Sequence, residues 1–563
     1  MRAKRKKIYL IILLALLAVI LVFLFLIKIQ SNGIAYEEKY SADWVGLAEV
    51  SAELSSGAFL EIDWKEVLGE KKDNCLTRAD VRLIAENLGV SEYIELPGFW
   101  KRHVVTRAEW NTVFRQMLDY LDMNEVVSEE TFLVLDLMEA DGRNVLVTNK
   151  GDYFTALSIP FFEKWQSYRI YASGDTCLGI VSFSEEEEEV KDAYLKQMTA
   201  DSVTFLYQGA QYQIQAASQS VLEPGVCDFV FLNREITTIR EKRDAINGDL
   251  LSYDEEFIEI EGYGKVSHDG KIPVYRTYGE VAEKSISDVV LGNMELTYIT
   301  GGENVCAILL KQPANIADIR VLLLSDGGKF RDEVYLKCST DSSVRFGESV
   351  SDAAAMQLLS ASAYFGGGGS ETLVLEPKDP GAQIYLCDGD GNSVSNGYAG
   401  TMEVRKMPDG YTVVNEVPFE QYLYAVVPSE MPSTFAPEAL KAQAVCARSY
   451  AYGQLMAADL AAYGAHIDDS TSYQVYNKVA RTQSTTDAVD ATCGQVLTYQ
   501  GNVVSAYYFS TSMGYTGTAD IWNVDDPAPM AYLQQACLNE NPFEGDLSTE
   551  DGFAAYIATT QNG

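Results

Sequence analysis

The chain has 563 residues, with 43 Lys and Arg against 81 Asp and Glu, for a formal net charge of −38. At about 100–200 residues per domain this is enough for two to four domains, and 47% apolar with 22% charged residues excludes a globally disordered chain. The acidic balance argues against nucleic acid as a partner, since phosphate must be met by a surplus of cations. Three histidines, His103, His268 and His466, argue against a histidine-built zinc enzyme.

Basic residues gather at the start. Arg2, Lys4, Arg5, Lys6 and Lys7 precede twenty uncharged residues, 8–27, with the sequence IYLIILLALLAVILVFLFLI. At 1.5 Å per residue a helix of that length spans the roughly 30 Å hydrocarbon layer of a bilayer. Lys28, Ile29 and Gln30 follow with no small-x-small cleavage site, so the run reads as an uncleaved transmembrane anchor rather than a signal peptide. The cations before it predict a cytoplasmic tail at residues 1–7 and an extracytoplasmic bulk, facing the cell wall, for a single-pass membrane protein. Nine cysteines lie scattered with no C-x-x-C pair, which suggests neither a zinc ribbon nor a thioredoxin-type site.

Residues 28–126 read as a linker and a helical domain. DVRLIAENLGV and RAEWNTVFRQMLDYL place apolar residues three and four apart. Two starts, Thr77-Arg78-Ala79-Asp80 and Thr106-Arg107-Ala108-Glu109, offer Thr as helix N-cap with an acid in the positive first turn. Residues 127–313 read as β-rich: TFLVLDL, NVLVTNKGDYFTAL, SVTFLYQGAQYQIQA and LTYITGGENVCAILL are separated by glycine-containing turns. The acidic run 185–189 reads as a solvated loop or helix start. Asp388-Gly-Asp-Gly-Asn392 matches the start of a calcium loop, but Ala399 stands where the closing glutamate belongs, so a hairpin turn is expected.

From 417 to 456 the pattern is helix, proline-bracketed turn, helix, with Pro437 at the first position of the second helix. Glu430 lies between Pro428 and Pro432, whose fixed backbones predict a rigid, non-regular turn. That is the mounting a general acid needs, although a plain turn carboxylate is also compatible with it. Lys441, Val445, Arg448 and Tyr452 then form one helical stripe, facing a polar cleft or snorkelling at a domain edge.

Several segments, in order, resemble the stage II sporulation protein D (SpoIID) family over about residues 315–540. They are Glu420-x-Tyr422-Leu423, Val427-Pro428-Ser429-Glu430-Met431-Pro432, Glu438-x-x-Lys441-x-Gln443-x-Val445, Ala447-Arg448-Ser449-Tyr450, Gln474-Val475-Tyr476, Ala506-x-Tyr508-Phe509-Ser510, Ser512-x-Gly514-x-Thr516 and Trp522. The resemblance implies a peptidoglycan lytic transglycosylase acting on peptide-stripped glycan strands, with Glu430 as its catalytic acid. It also implies work beside a cell-wall amidase and other sporulation membrane proteins. Some members are instead amidase enhancers.

One carboxyl group suffices for that chemistry. Ordinary glycosidases use two, but here the sugar's C6 hydroxyl is the nucleophile. Glu430 would protonate the leaving glycosidic oxygen and then take the C6-OH proton, leaving a 1,6-anhydro-muramic end. By similarity Lys441 and Arg448 lie close to the acid, and a cation there would hold the lactyl carboxylate bared by loss of the stem peptide. Tyr473, Gln474, Tyr476, Tyr508, Ser510, Ser512 and Thr516 offer hydroxyls, an amide and ring faces for sugar, or else satisfy backbone groups. Some members carry a Cys…His-Cys zinc site where this chain has Asp468, Ser472 and Tyr473. These are not soft ligands, so no zinc and no other cofactor is expected.

The expected fold class is therefore α+β: a transmembrane helix at 8–27, a helical segment at 28–126, a β-rich region at 127–313 and a SpoIID-like α+β domain at 314–563. The expected function is a membrane-anchored lytic transglycosylase. Two alternatives stay open: a non-catalytic amidase enhancer or wall-glycan-binding scaffold, and a surface receptor with the family domain appended.

Overall fold

A computed structural model describes residues 47–560, except 56–61, 70–74, 96–102, 141, 158, 216–220, 269, 326–327, 367–371, 458, 511–513, 523–529 and 539–542. The chain divides into two units, Met1–Arg243 and Asp244–Gly563.

In the first unit both T-R-A-[DE] segments start helices, α1 at Arg78–Asn87 and α2 at Arg107–Tyr120. Each start folds its acid back onto the cap. The Thr77 N–H donates to Asp80 Oδ2 at 2.8 Å, and the Thr106 N–H donates to Glu109 Oε2 at 3.0 Å, so otherwise orphaned donors are satisfied within four residues. Arg78 of one start pairs with Glu109 of the other at 2.5 Å. The apolar spacing puts Val81, Ile84, Trp110, Val113, Phe114 and Met117 into one core. A closed five-stranded barrel over residues 128–183 and a five-stranded antiparallel sheet over 188–241 complete the unit. Part of the acidic run belongs to that sheet, with Glu188 and Glu189 opposite Phe231 and Val230, where cross-strand pairing overrides the local charge.

The second unit begins with a seven-stranded sheet over residues 245–310. A second seven-stranded sheet follows and positions the candidate site. Within it, β1 (Asp318–Leu322), β2 (Thr401–Met407), β3 (Gly410–Pro418) and β4 (Ile467–Asp468) are adjacent in the order β2-β3-β1-β4. β1 runs antiparallel to β3 and parallel to β4, which brings residue 321 beside residue 467. Pro418 ends β3, and the chain passes directly into α3 (Phe419–Glu430), followed by α4 (Pro437–Leu455) and α5 (Gln483–Ala491). Ala444, Ala447 and Ala451 recur at helical spacing on α4 and pack into a core with Leu423, Val427 and Val489. The hairpin expected at residues 388–392 is present: Cys387 bridges Ser393, and the Asp388 carboxylate accepts the N–H groups of Asp390 and Asn392.

A buried ionic cluster ties the two sheets of this unit together. Arg320 is fully buried between Glu403, at 2.5 Å, and Glu416. Arg405 joins Glu403 at 2.8 Å to Glu259 of the 245–310 sheet at 3.2 Å. His466 is buried beside it, its Nδ1 accepting the Arg320 backbone N–H at 3.0 Å. Burial, with the Arg320 charge in second place, pushes its pKa down to about 3, so the ring is neutral.

Two expectations are corrected. The first is the α+β class led by a transmembrane helix: strand predominates over helix across the described residues, because most backbone groups from 128 to 418 are satisfied between strands. The second is the single-pass localisation. No helix among the described residues is long and apolar enough to cross a membrane, and the expected span at 8–27 lies outside the described residues.

Candidate active site

Glu430 is the last residue of α3 rather than part of a non-regular turn. Pro428 sits inside the final helical turn, where its missing N–H withholds the usual donor from the Tyr424 carbonyl, and Pro432 sets the exit by holding Met431 extended at φ −133°, ψ 130°. The carboxylate therefore stands at the negative end of a helix, half-buried.

Two neutral donors hold it. The Val475 backbone N–H donates to Glu430 Oε1 at 2.6 Å, and the Tyr508 hydroxyl bonds the same carboxyl group. The direction of that second bond is fixed from behind. Tyr422 donates its hydroxyl to Gln474 Oε1 at 2.9 Å, and Gln474 Nε2 donates to the Tyr508 oxygen at 3.0 Å and to the Ala447 carbonyl at 3.2 Å. An amide nitrogen only donates, so the Tyr508 proton is left to point at Glu430. Gln474 and Tyr422 are fully buried, which makes this chain of bonds rigid.

Burial raises the Glu430 pKa from its ordinary value; the Val475 N–H and Tyr508 hydroxyl offset part of that rise. Burial, reinforced by the Glu430 charge, also raises the Tyr508 phenol, so it serves as a neutral donor. Tyr450, on α4, has its pKa pushed up to about 12 by burial, then by the charges of Tyr507, Tyr473, Asp468 and Glu430, and its ring meets that of Tyr507 edge-on at 5.8 Å. In the sequence Tyr450 stands out only as part of a motif.

The other expected site residues separate into groups. Arg448 is only 2% exposed, and its five N–H bonds all meet protein acceptors: Glu420 twice at 2.8 Å, and the carbonyls of Ala444, Val489 and Gln495. It clamps α3, α4 and α5 together and has no donor left for a sugar. Lys441 pairs with Glu438 at 2.7 Å on the outer surface of α4. Tyr476 belongs to the core, stacked on Tyr422 at 5.0 Å with its hydroxyl on Asn415. Tyr473 is partly buried against the core. Thr516 bridges the Gln534 carbonyl and the Ala536 N–H. Ser510 is exposed, and Ser512 lies outside the described residues. Asp468 Oδ1 accepts from the Ser470 N–H and hydroxyl; among the described residues no group of three or more His, Cys, Asp or Glu is arranged to hold a metal ion.

Residues 408–499 match the family described as Stage II sporulation protein (SpoIID), so the chain carries a domain of that family in its C-terminal part. The match takes in α3, α4 and α5, with Glu430, Arg448 and Gln474; Tyr508 lies beyond it. Stage II sporulation protein D of Bacillus subtilis (strain 168) is 40% identical over 124 residues, 19% of this chain and 36% of that protein. An uncharacterised protein of Brachyspira hyodysenteriae is 38% identical over 125 residues, 22% of this chain and 33% of its own. An amidase enhancer of Bacillus subtilis (strain 168) is 40% identical over 106 residues, 19% and 14%. The chain thus spans about a third of the length of the first relatives it matches.

Proposed function

We propose that the C-terminal part of this chain remodels cell-wall peptidoglycan as a lytic transglycosylase, cutting peptide-stripped glycan strands with Glu430 as the single general acid and base. The observation that carries this reading is the half-buried Glu430 carboxyl at a helix C-terminus, raised in pKa and held by neutral donors only. An acid so mounted keeps its proton to higher pH than a surface carboxylate, as protonation of a glycosidic oxygen requires. Once ionised it keeps two hydrogen bonds, so it can wait to take the C6-OH proton. General acid–base transfer of this kind contributes about 10²–10⁴-fold; orientation by the Tyr422–Gln474–Tyr508 chain serves positioning.

Between Lys441 and Arg448, the surface ammonium of Lys441 is the better partner for a lactyl carboxylate, because the Arg448 donors are spent. The likeness to an amidase enhancer supports a second reading, in which the domain binds wall glycan and assists an amidase without cutting. Incubating the full chain with peptide-free glycan and reading 1,6-anhydro-muramic ends by mass spectrometry separates the two. Product that disappears in Glu430→Gln is the expected result. Glycan binding without any product establishes the scaffold instead.

A further inference from the structure

The second unit contains an open cavity of about 1030 Å³ that Glu430 does not line. Its volume lies at the upper end of the roughly 300–1,000 Å³ typical of small-molecule sites. One wall is the segment 469–478, which contributes Asp469, Asn477 and Lys478; another is the hairpin that carries Val394 and Asn396.

The same segment holds the candidate acid. Val475 binds Glu430, the Asn477 N–H donates to the Ala425 carbonyl at 3.3 Å, and the N–H of Val479, the next residue after Lys478, donates to Ser429 Oγ at 3.2 Å, so the segment is laced along the last turns of α3. Asn477 has a left-handed backbone, φ 58°, which asparagine tolerates better than most residues. Its carbonyl accepts from Asn396 Nδ2 at 3.0 Å, which ties the cavity's two walls together.

The chemistry of the lining selects the ligand. Four of its five charged side chains are already engaged within the protein, and the fifth, Asp332, is exposed. Lys478 pairs with Asp469 at 2.5 Å, Arg331 donates to the Leu323 and Leu324 carbonyls, and Glu333 accepts from the Val334 and Ser362 N–H groups. Serine hydroxyls, the side-chain oxygens of Asn396 and Asn477 and the rings of Phe330 and Tyr335 remain on the walls, the two amide nitrogens being spent on backbone carbonyls. Such a surface suits a neutral, polyhydroxylated ligand better than a polyanion or a polycation, since ring faces and amide oxygens are what pyranose rings and N-acetyl groups need.

We infer that this cavity is an accessory subsite for a neutral N-acetylated amino-sugar unit of the glycan, apart from the position where the strand is cut. The inference rests on glycan being the substrate, as proposed above. N,N′-diacetylchitobiose tests it, because it carries the sugar chemistry but no muramic acid, and calorimetric titration of the full chain reads its binding. Glu430→Gln should bind within twofold of wild type. Val394→Trp, at a lining position 65% exposed and so open to a larger side chain, should weaken binding at least tenfold. Tyr335→Ala reads the same contact if Val394→Trp does not fold. Unchanged binding in folded Val394→Trp and Tyr335→Ala, loss in Glu430→Gln, or no binding by wild type overturns the inference. Binding with this pattern in a protein that cuts no glycan leaves the subsite standing and removes the transglycosylase.

Discussion

The Val475 backbone N–H reaches Glu430 Oε1 at 2.6 Å across 45 residues of chain. A peptide N–H does not titrate, and no substitution short of proline removes it, so this half of the carboxyl's environment is constant. Variation in its proton affinity must come from burial and from Tyr508.

Activity should therefore fall as pH rises through the raised pKa of Glu430. Tyr508→Phe removes a donor that lowers that pKa, so the alkaline limb should move to higher pH while the maximal rate drops. A pH–rate profile with peptide-free glycan checks both; a limb that stays in place or moves down counts against the bond. Glu430→Gln should lose about 10²–10⁴-fold in rate.

The linkage for Glu430 has a definite sign. A carboxyl with its folded pKa above its unfolded one contributes stability at low pH that is lost as pH rises through the folded value. Glu430→Gln removes this term, so the difference in denaturation midpoint between variant and wild type should shift in the variant's favour between pH 4 and pH 8.

His466 has the opposite slope. Its folded pKa, about 3, lies below the unfolded value, so its neutral burial contributes stability above pH ~6.5 that is lost as pH falls from there towards 3. Stability of the C-terminal unit, followed by denaturant titration, should fall as pH drops through that window. His466→Gln should flatten that part of the slope.

Arg448→Ala should leave the Glu420 carboxylate without its bidentate partner and empty a buried site. Losing one member of such a pair costs about 3–5 kcal/mol, which a lowered midpoint would register. A folded variant with an unchanged midpoint and no glycan binding would return Arg448 to the substrate.

Lys441→Gln removes only an exposed i,i+3 pair with Glu438, so its midpoint should move by less than about 0.5 kcal/mol. If the ammonium meets the lactyl carboxylate, KM for peptide-stripped glycan should rise about tenfold with kcat little changed, and chitobiose binding should not respond.

What could be read in advance followed the range of the forces involved. The two helix starts at Thr77 and Thr106 were legible because a capping box closes within four residues. The strand tendency of 127–313 was legible from alternation and glycine turns, whereas the share of strand in the whole chain was not. Glu430 stood out through its flanking prolines and motif, yet the prolines let the helix run to Glu430 rather than opening a turn before it. The stripe of Lys441 and Arg448 was real as periodicity, but it could not show that Arg448 is consumed by Glu420, on another helix. Tyr476 looked like a sugar platform and lies stacked in the core.

By itself the sequence determined the caps, the acidic character, the family motifs and the proline-flanked carboxylate proposed here as the acid, all properties of residues or of neighbours a few positions apart. Only the tertiary structure decided which cation is spent, which tyrosine donates to Glu430 and that burial raises its pKa. Those outcomes depend on desolvation and on hydrogen bonds between residues tens of positions apart, and such terms arise only once the chain has closed around them.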